Sequence, residues 1–167
     1  MKTVAVMADI TFNMATGDLT GTFDGWHFRV HASAGGRTGS TTPGVIREVL
    51  VNNPFATQIK KPDNVDIGYA GPLPMGRYTL KPHETLPNRI RLNPDGHNVM
   101  YNRGSFLIHC HGPIGSEGCI VPDEDAFTKS LYKRVVAHQG PPLTLQVEAV
   151  GDLDYFERII REDNHMG

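Results

Sequence analysis

Turn signals interrupt this chain before any apolar run grows long. Its 167 residues include 18 glycines and 12 prolines, well above the usual combined share of about 12%. Most fall between short runs in which apolar and polar residues alternate, a pattern of short strands joined by turns that excludes a coiled coil or a collagen-like repeat. A hairpin is predicted from Val4 to Thr22, around the turn Ala15-Thr16-Gly17-Asp18. Further strands are predicted at 23–30, at Arg77 to Leu80 after the turn Gly71-Pro72-Leu73-Pro74, at Arg89 to Leu92, at 105–111 and at 143–150. Ala32 to Gly44 is rich in Gly, Ser and Thr and reads as a mobile surface loop, while Val45 to Val51 suits a short helix or a strand. Helical spacing is clear in one place: Phe127, Leu131 and Val135 recur behind Asp123, a candidate N-cap, until Gly140-Pro141. A second, acidic amphipathic helix is predicted from Leu153 to Ile160. Together these elements predict a mainly β, α+β fold, a mostly antiparallel β domain with one or two packed helices. It forms one domain over 1–167, with 151–167 a short acidic helical tail.

Charge and targeting narrow the partners. The formal charge is -2, which offers no field to gather a nucleic-acid backbone. The N-terminal apolar stretch is too short for a signal-peptide core, and no window is long enough to span a membrane. The expectation is a protein made in the cytoplasm without a cleavable leader. Two cysteines, Cys110 and Cys119, allow at most one bridge and no disulfide scaffold.

The chemistry concentrates in FLIHCHGPIGSEGCIV, residues 106–121. On a strand, His109 and His111 share one face and Cys110 faces the other, which predicts Cys110 in the core. The chain then passes Gly112, Gly115 and Gly118 and returns toward the strand it left, carrying Cys119. A thiol attacks only as thiolate, and an adjacent imidazole supplies the missing base. The better-packed His109 is the expected base and His111 a neighbour. Gly118, lacking Cβ, lets a carbonyl approach main-chain N–H groups, so the amides of Gly118 and Cys119 are oxyanion-hole candidates. Ser116 is expected to bond the histidine or hold the loop, and Arg103 to be a surface charge or a clamp for a substrate carboxylate. The same H-C-H spacing with a loop cysteine also suits a zinc site, the alternative reading.

These residues resemble the L,D-transpeptidase (YkuD-type) catalytic domains, in which a histidine-bearing strand leads through a Gly-rich loop to an S-x-G-C-[IV] element. GPLPMGRYTL and TFNMATGDLTG resemble the branch found among type VI secretion effectors; there the position two before the cysteine, Glu117 here, is commonly not histidine. The resemblance implies an L,D-transpeptidase-like β-sandwich with Cys119 as nucleophile and His109 as base. It implies cell-wall tetrapeptide stems as substrate, no metal or organic cofactor, delivery to the periplasm of target bacteria, and a cognate immunity protein. A non-catalytic wall-binding module is the remaining alternative.

Overall fold

The computed structural model describes residues 7–36, 48–59, 69–112 and 116–166. Eight strands are present: β1 (Ile10–Asn13), β2 (Asp18–Phe23), β3 (Trp26–Ala34), β4 (Gly76–Pro82), β5 (Arg89–Pro94), β6 (Phe106–His109), β7 (Ile120–Pro122) and β8 (Thr144–Glu148). Their order is β1-β2-β3-β7-β6-β5-β4-β8, and β8 pairs back to β1. The expected β-sandwich is therefore wrong: the sheet is a closed barrel. It is also mixed, because β1 runs parallel to β8 and β6 parallel to β7 while the other neighbours are antiparallel. Two sheets would leave edges, whereas closure pairs every strand on both sides.

Alternation along each strand fills the inside. Ile10, Phe12, Leu19, Tyr78, Ile90, Leu92, Ile108, Ile120, Leu145 and Val147 are all buried in one cluster, and the intervening residues face out. Tyr78 belongs inside because its hydroxyl donates to Pro74 O at 2.6 Å, satisfying the polar tip of a buried ring.

Helix α1 (Asp125–Ala137) lies across the barrel end at which β6 and β7 finish. Its first residue, Asp125, accepts from His111, and His138 at its other end meets Asp24 in the β2–β3 turn. Leu131 and Val135 plug that mouth as part of the barrel's core cluster. At the opposite mouth, 3-10 turns at Glu48–Leu50 and Pro54–Ala56 pack with Ala70 in a second small cluster. Helix α2 (Asp154–Met166) joins them through Ile160.

Several boundaries differ from expectation. The hairpin begins at Ile10, with Val4 to Val6 outside the described residues. The third strand runs on to Ala34, because β3 pairs with both β2 and β7; the rest of the predicted loop, from 37 onward, lies outside the described residues. Of Val45 to Val51, Glu48–Leu50 forms a 3-10 turn, the short-helix alternative, and 45–47 lie outside the described residues. The GPLP segment, read as a turn, is buried at 71–74. Among the described residues no helix is long and apolar enough to cross a membrane.

Candidate active site

Strand β6 is shorter than its sequence suggested. Phe106 and Ile108 point into the barrel, Leu107 and His109 point out, and the strand stops at His109. Across from it, β5 sets Arg91 opposite Leu107 and Arg89 opposite His109, so two guanidinium-bearing residues share the outer face of the wall with the imidazole. On the other side β7 runs parallel, with Ile108 opposite Ile120. Cys119 immediately precedes Ile120, which faces the core, so its side chain turns out beside β6.

There the thiol meets the main chain: Leu107 N–H donates to Cys119 Sγ at 3.4 Å. Burial pushes the Cys119 thiol above the ordinary cysteine value, and Glu117 adds to the rise. The Leu107 N–H, Arg103 and Arg91 pull the other way, because a donor and two cations favour the thiolate. His109 is two residues along the same face from Leu107. Its Nδ1 lies 2.6 Å from Cys110 O. A carbonyl only accepts, so Nδ1 carries the proton and the neutral ring keeps its lone pair on Nε2. No thiol–imidazole hydrogen bond is formed among the described contacts; such bonds commonly tighten only when substrate is bound.

The other histidine has left the strand. His111 presents its main-chain N–H to Asp125 Oδ1 at 2.9 Å and its Nδ1 to the same oxygen at 3.0 Å. Those two bonds, led by the main-chain one, lower the Asp125 carboxyl from its usual value. His109 and His111 thus do not share a strand face; His111 ties the end of β6 to the start of α1. Nor is Cys110 a core residue. It is half-buried, with Sγ 3.9 Å from Asp125 O, because the strand pattern that would have turned it inward ends one residue earlier. Both cysteines are free thiols.

Arg103 is buried, 8% exposed, under four main-chain carbonyls. Nη1 donates to Thr57 O at 2.5 Å and Pro72 O at 2.7 Å; Nη2 donates to Gly71 O at 3.0 Å and Glu117 O at 2.8 Å. The rings of Tyr69 and Phe106 flank the guanidinium at 4.8 and 5.1 Å. Burial draws its pKa down to about 10, which still leaves a full cation at neutral pH. Arg103, expected as a surface charge or a carboxylate clamp, is buried and binds the loop that carries Cys119 to the buried Gly71–Pro74 segment.

Gly118 and Ser116 serve the same loop. Gly118 has φ 118°, and a Cβ there would lie 2.6 Å from Arg103 Nη2 and 2.8 Å from Phe106 Cε1, so glycine is required both by conformation and by the closeness of the guanidinium. Its carbonyl accepts from Leu73 N at 3.1 Å, while its N–H is turned toward Ser116 Oγ at 3.4 Å. Ser116 Oγ also accepts from Gly35 N and donates to Cys119 O, both at 2.9 Å. Ser116 therefore holds the loop to β3 and makes no bond to histidine among those described. The residues between, 113–115, lie outside the described residues.

Residues 55–140 match the family model of the Tlde1 domain. The chain belongs to this family. The Tlde1 domain is a type VI secretion effector domain of a bacterial toxin family. No curated protein and no solved structure matches the chain. Within it, the Tlde1 match runs from the second 3-10 turn through β4, β5, β6, β7 and α1, and so contains Cys119, His109 and their whole supporting frame except Gly35. His109 bonds Cys110 O, Cys110 and His111 both meet Asp125, and Cys119 meets Leu107 N; among the described residues no three His, Cys, Asp or Glu side chains converge as metal ligands.

Sequence reasoning missed Arg91. It pairs with Glu84 through Nε–Oε1 at 3.2 Å and Nη2–Oε2 at 2.9 Å, holding that exposed carboxyl near 2. The alternation in Arg89-Ile90-Arg91-Leu92 reveals that both arginines face out. Only the pairing of β5 with β6, however, reveals that they face out beside the thiol.

Proposed function

We propose that this Tlde1 domain is a cysteine-dependent acyl-transfer enzyme acting on peptidoglycan tetrapeptide stems, an L,D-carboxypeptidase or L,D-transpeptidase, delivered as an antibacterial effector. The observation that carries the reading is the outer wall of β6. The Cys119 sulfur is held on the Leu107 N–H there, and two residues along the same face His109 is fixed by Cys110 O with its lone pair on Nε2. A buried thiol with a raised pKa needs a base, and this imidazole is in the tautomer to be one.

In the reaction, His109 Nε2 takes the Cys119 proton as sulfur attacks the carbonyl joining the third stem residue to terminal D-Ala. The Cys119 N–H is the candidate donor to the oxyanion. The imidazolium then returns the proton to the departing D-Ala amine, leaving a thioester. Water releases a tripeptide; a D-amino acid gives exchange; an amine from a second stem gives a cross-link.

Incubating the protein with purified muropeptides and weighing the products tests this directly. Loss of one D-Ala, its exchange or a new cross-link is expected, abolished in Cys119→Ala and reduced about a hundredfold to ten-thousandfold in His109→Ala. His111→Ala should retain turnover, since that ring is engaged with Asp125. Unchanged tetrapeptides from a protein that still melts cooperatively would refute the proposal. A domain attacking the wall should also be toxic when sent to the periplasm and tolerated in the cytoplasm, so the producing cell requires a cognate immunity protein.

A further inference from the structure

A cleft of about 460 Å³ opens at the barrel mouth braced by Arg103, lined by Phe55, Gln58, Met75, His97, Val99 and Tyr101 among others. Phe55 and Tyr101 are 46% and 41% exposed, and Met75 and Val99 are more open still. Among the described residues no Lys, Arg, Asp or Glu lines it. One wall is rigid, because Asn98 Oδ1 accepts from Arg77 N at 3.0 Å and its Nδ2 donates to Arg77 O at 2.8 Å. Tyr101 and Asn102 occupy φ 53° and 59° in a turn closed by Arg103 N–H to Met100 O at 2.9 Å. A large aromatic side chain in that conformation is strained, and here the strain presents an uncovered ring to the cleft.

Aromatic faces with amide, imidazole and hydroxyl groups between them suit a ring that is apolar on its faces and polar at its edge. The position suits the same ligand. Thr57 lines the cleft, and its carbonyl shares the Arg103 guanidinium with that of Glu117, two residues before Cys119. Arg103 thus joins the cleft wall to the loop that carries Cys119.

We infer that this cleft binds the N-acetylated amino sugar to which the stem peptide is attached, so that glycan and peptide are gripped on either side of Arg103. The inference rests on the wall-substrate reading but not on its catalytic step.

The disaccharide N-acetylglucosaminyl-N-acetylmuramic acid with its lactyl carboxyl capped as the amide, uncharged like the stem-bearing sugar, titrated into the 167-residue Cys119→Ala chain and followed by NMR, should shift resonances of the cleft. Tyr101→Gly, which relieves the backbone strain and should melt no lower than its parent, should abolish those shifts, as should Phe55→Ala. In the active enzyme, turnover of disaccharide-tetrapeptide should exceed that of free tetrapeptide about tenfold in kcat/KM, and Tyr101→Gly should erase the preference through KM. Disaccharide binding without turnover of either substrate would uphold the cleft and overturn the catalytic reading. Equal turnover of both substrates with no disaccharide binding would overturn the cleft and leave catalysis standing.

Discussion

At the scale of single residues, Arg103 and Arg91 show how differently two guanidinium groups beside one thiol can act. All four Nη–H groups of Arg103 point at main-chain carbonyls from three separate segments. Arg103→Ala should therefore cost about 3 kcal/mol or more, a fall of roughly 6–12 °C in Tm. Lysine cannot reproduce the planar fork, so Arg103→Lys should recover less than half of that loss in a thermal melt. A substrate clamp would instead keep its Tm and raise KM. Among the described residues Arg91 pairs with exposed Glu84, and it lowers the Cys119 pKa. Its removal should raise that pKa, moving the midpoint of Cys119 alkylation to higher pH in Arg91→Gln; an unmoved midpoint would remove Arg91 from the site. The thiol and the imidazole could be picked out in the sequence because strand, glycine loop and cysteine are contiguous. The role of Arg103 could not, because its partners at 57, 71, 72 and 117 come together only in the folded chain.

The elements repeat the lesson at their ends. Alternation located β6 correctly, but local pattern does not say where pairing stops, and His111 was carried onto a strand that had already ended at His109. The start of α1 shows the same competition. Asp123 looked like the cap, yet its carboxylate pairs with His31 Nδ1 at 3.0 Å. The N-cap position falls to Glu124, whose side chain makes no capping bond. The glutamate side chain is one methylene longer than that of aspartate, a preferred capping residue whose oxygen reaches the N–H groups of the first turn. Glu124→Asp should thus stabilise the protein by about 1 kcal/mol, raising Tm by roughly 2–4 °C. Since α1 is also tied to the end of β6 through His111 and Asp125, a firmer helix start should narrow the His111 resonances in the same variant.

For the whole molecule, closure is the property that no stretch of sequence announces. Seven of the eight strands read as strands by themselves, the three-residue β7 (Ile120–Pro122) being too short to announce itself, but the barrel exists because β1 lies parallel to β8, Ile10 opposite Leu145, across most of the chain's length. The seam is reinforced by side chains at both ends: Asp9 Oδ2 accepts from Thr144 N at 2.9 Å, and Asn13 Oδ1 accepts from Val150 N at 2.9 Å. Nothing in the local pattern of either segment encodes its partner, which is why strand content was legible and the barrel was not. The Tlde1 match at 55–140 holds β4 to β7 and α1 but none of β1, β2, β3 or β8. Cut to that length, the domain would keep Cys119 and His109 while β4 loses β8 and β7 loses β3, leaving two unpaired edges and an opened core. Residues 55–140 expressed alone should aggregate or lack a cooperative melt, while the 167-residue chain melts in one transition. A soluble, cooperatively melting fragment would mean that the half carrying Cys119 and His109 folds independently and that the β1–β8 seam is dispensable to it.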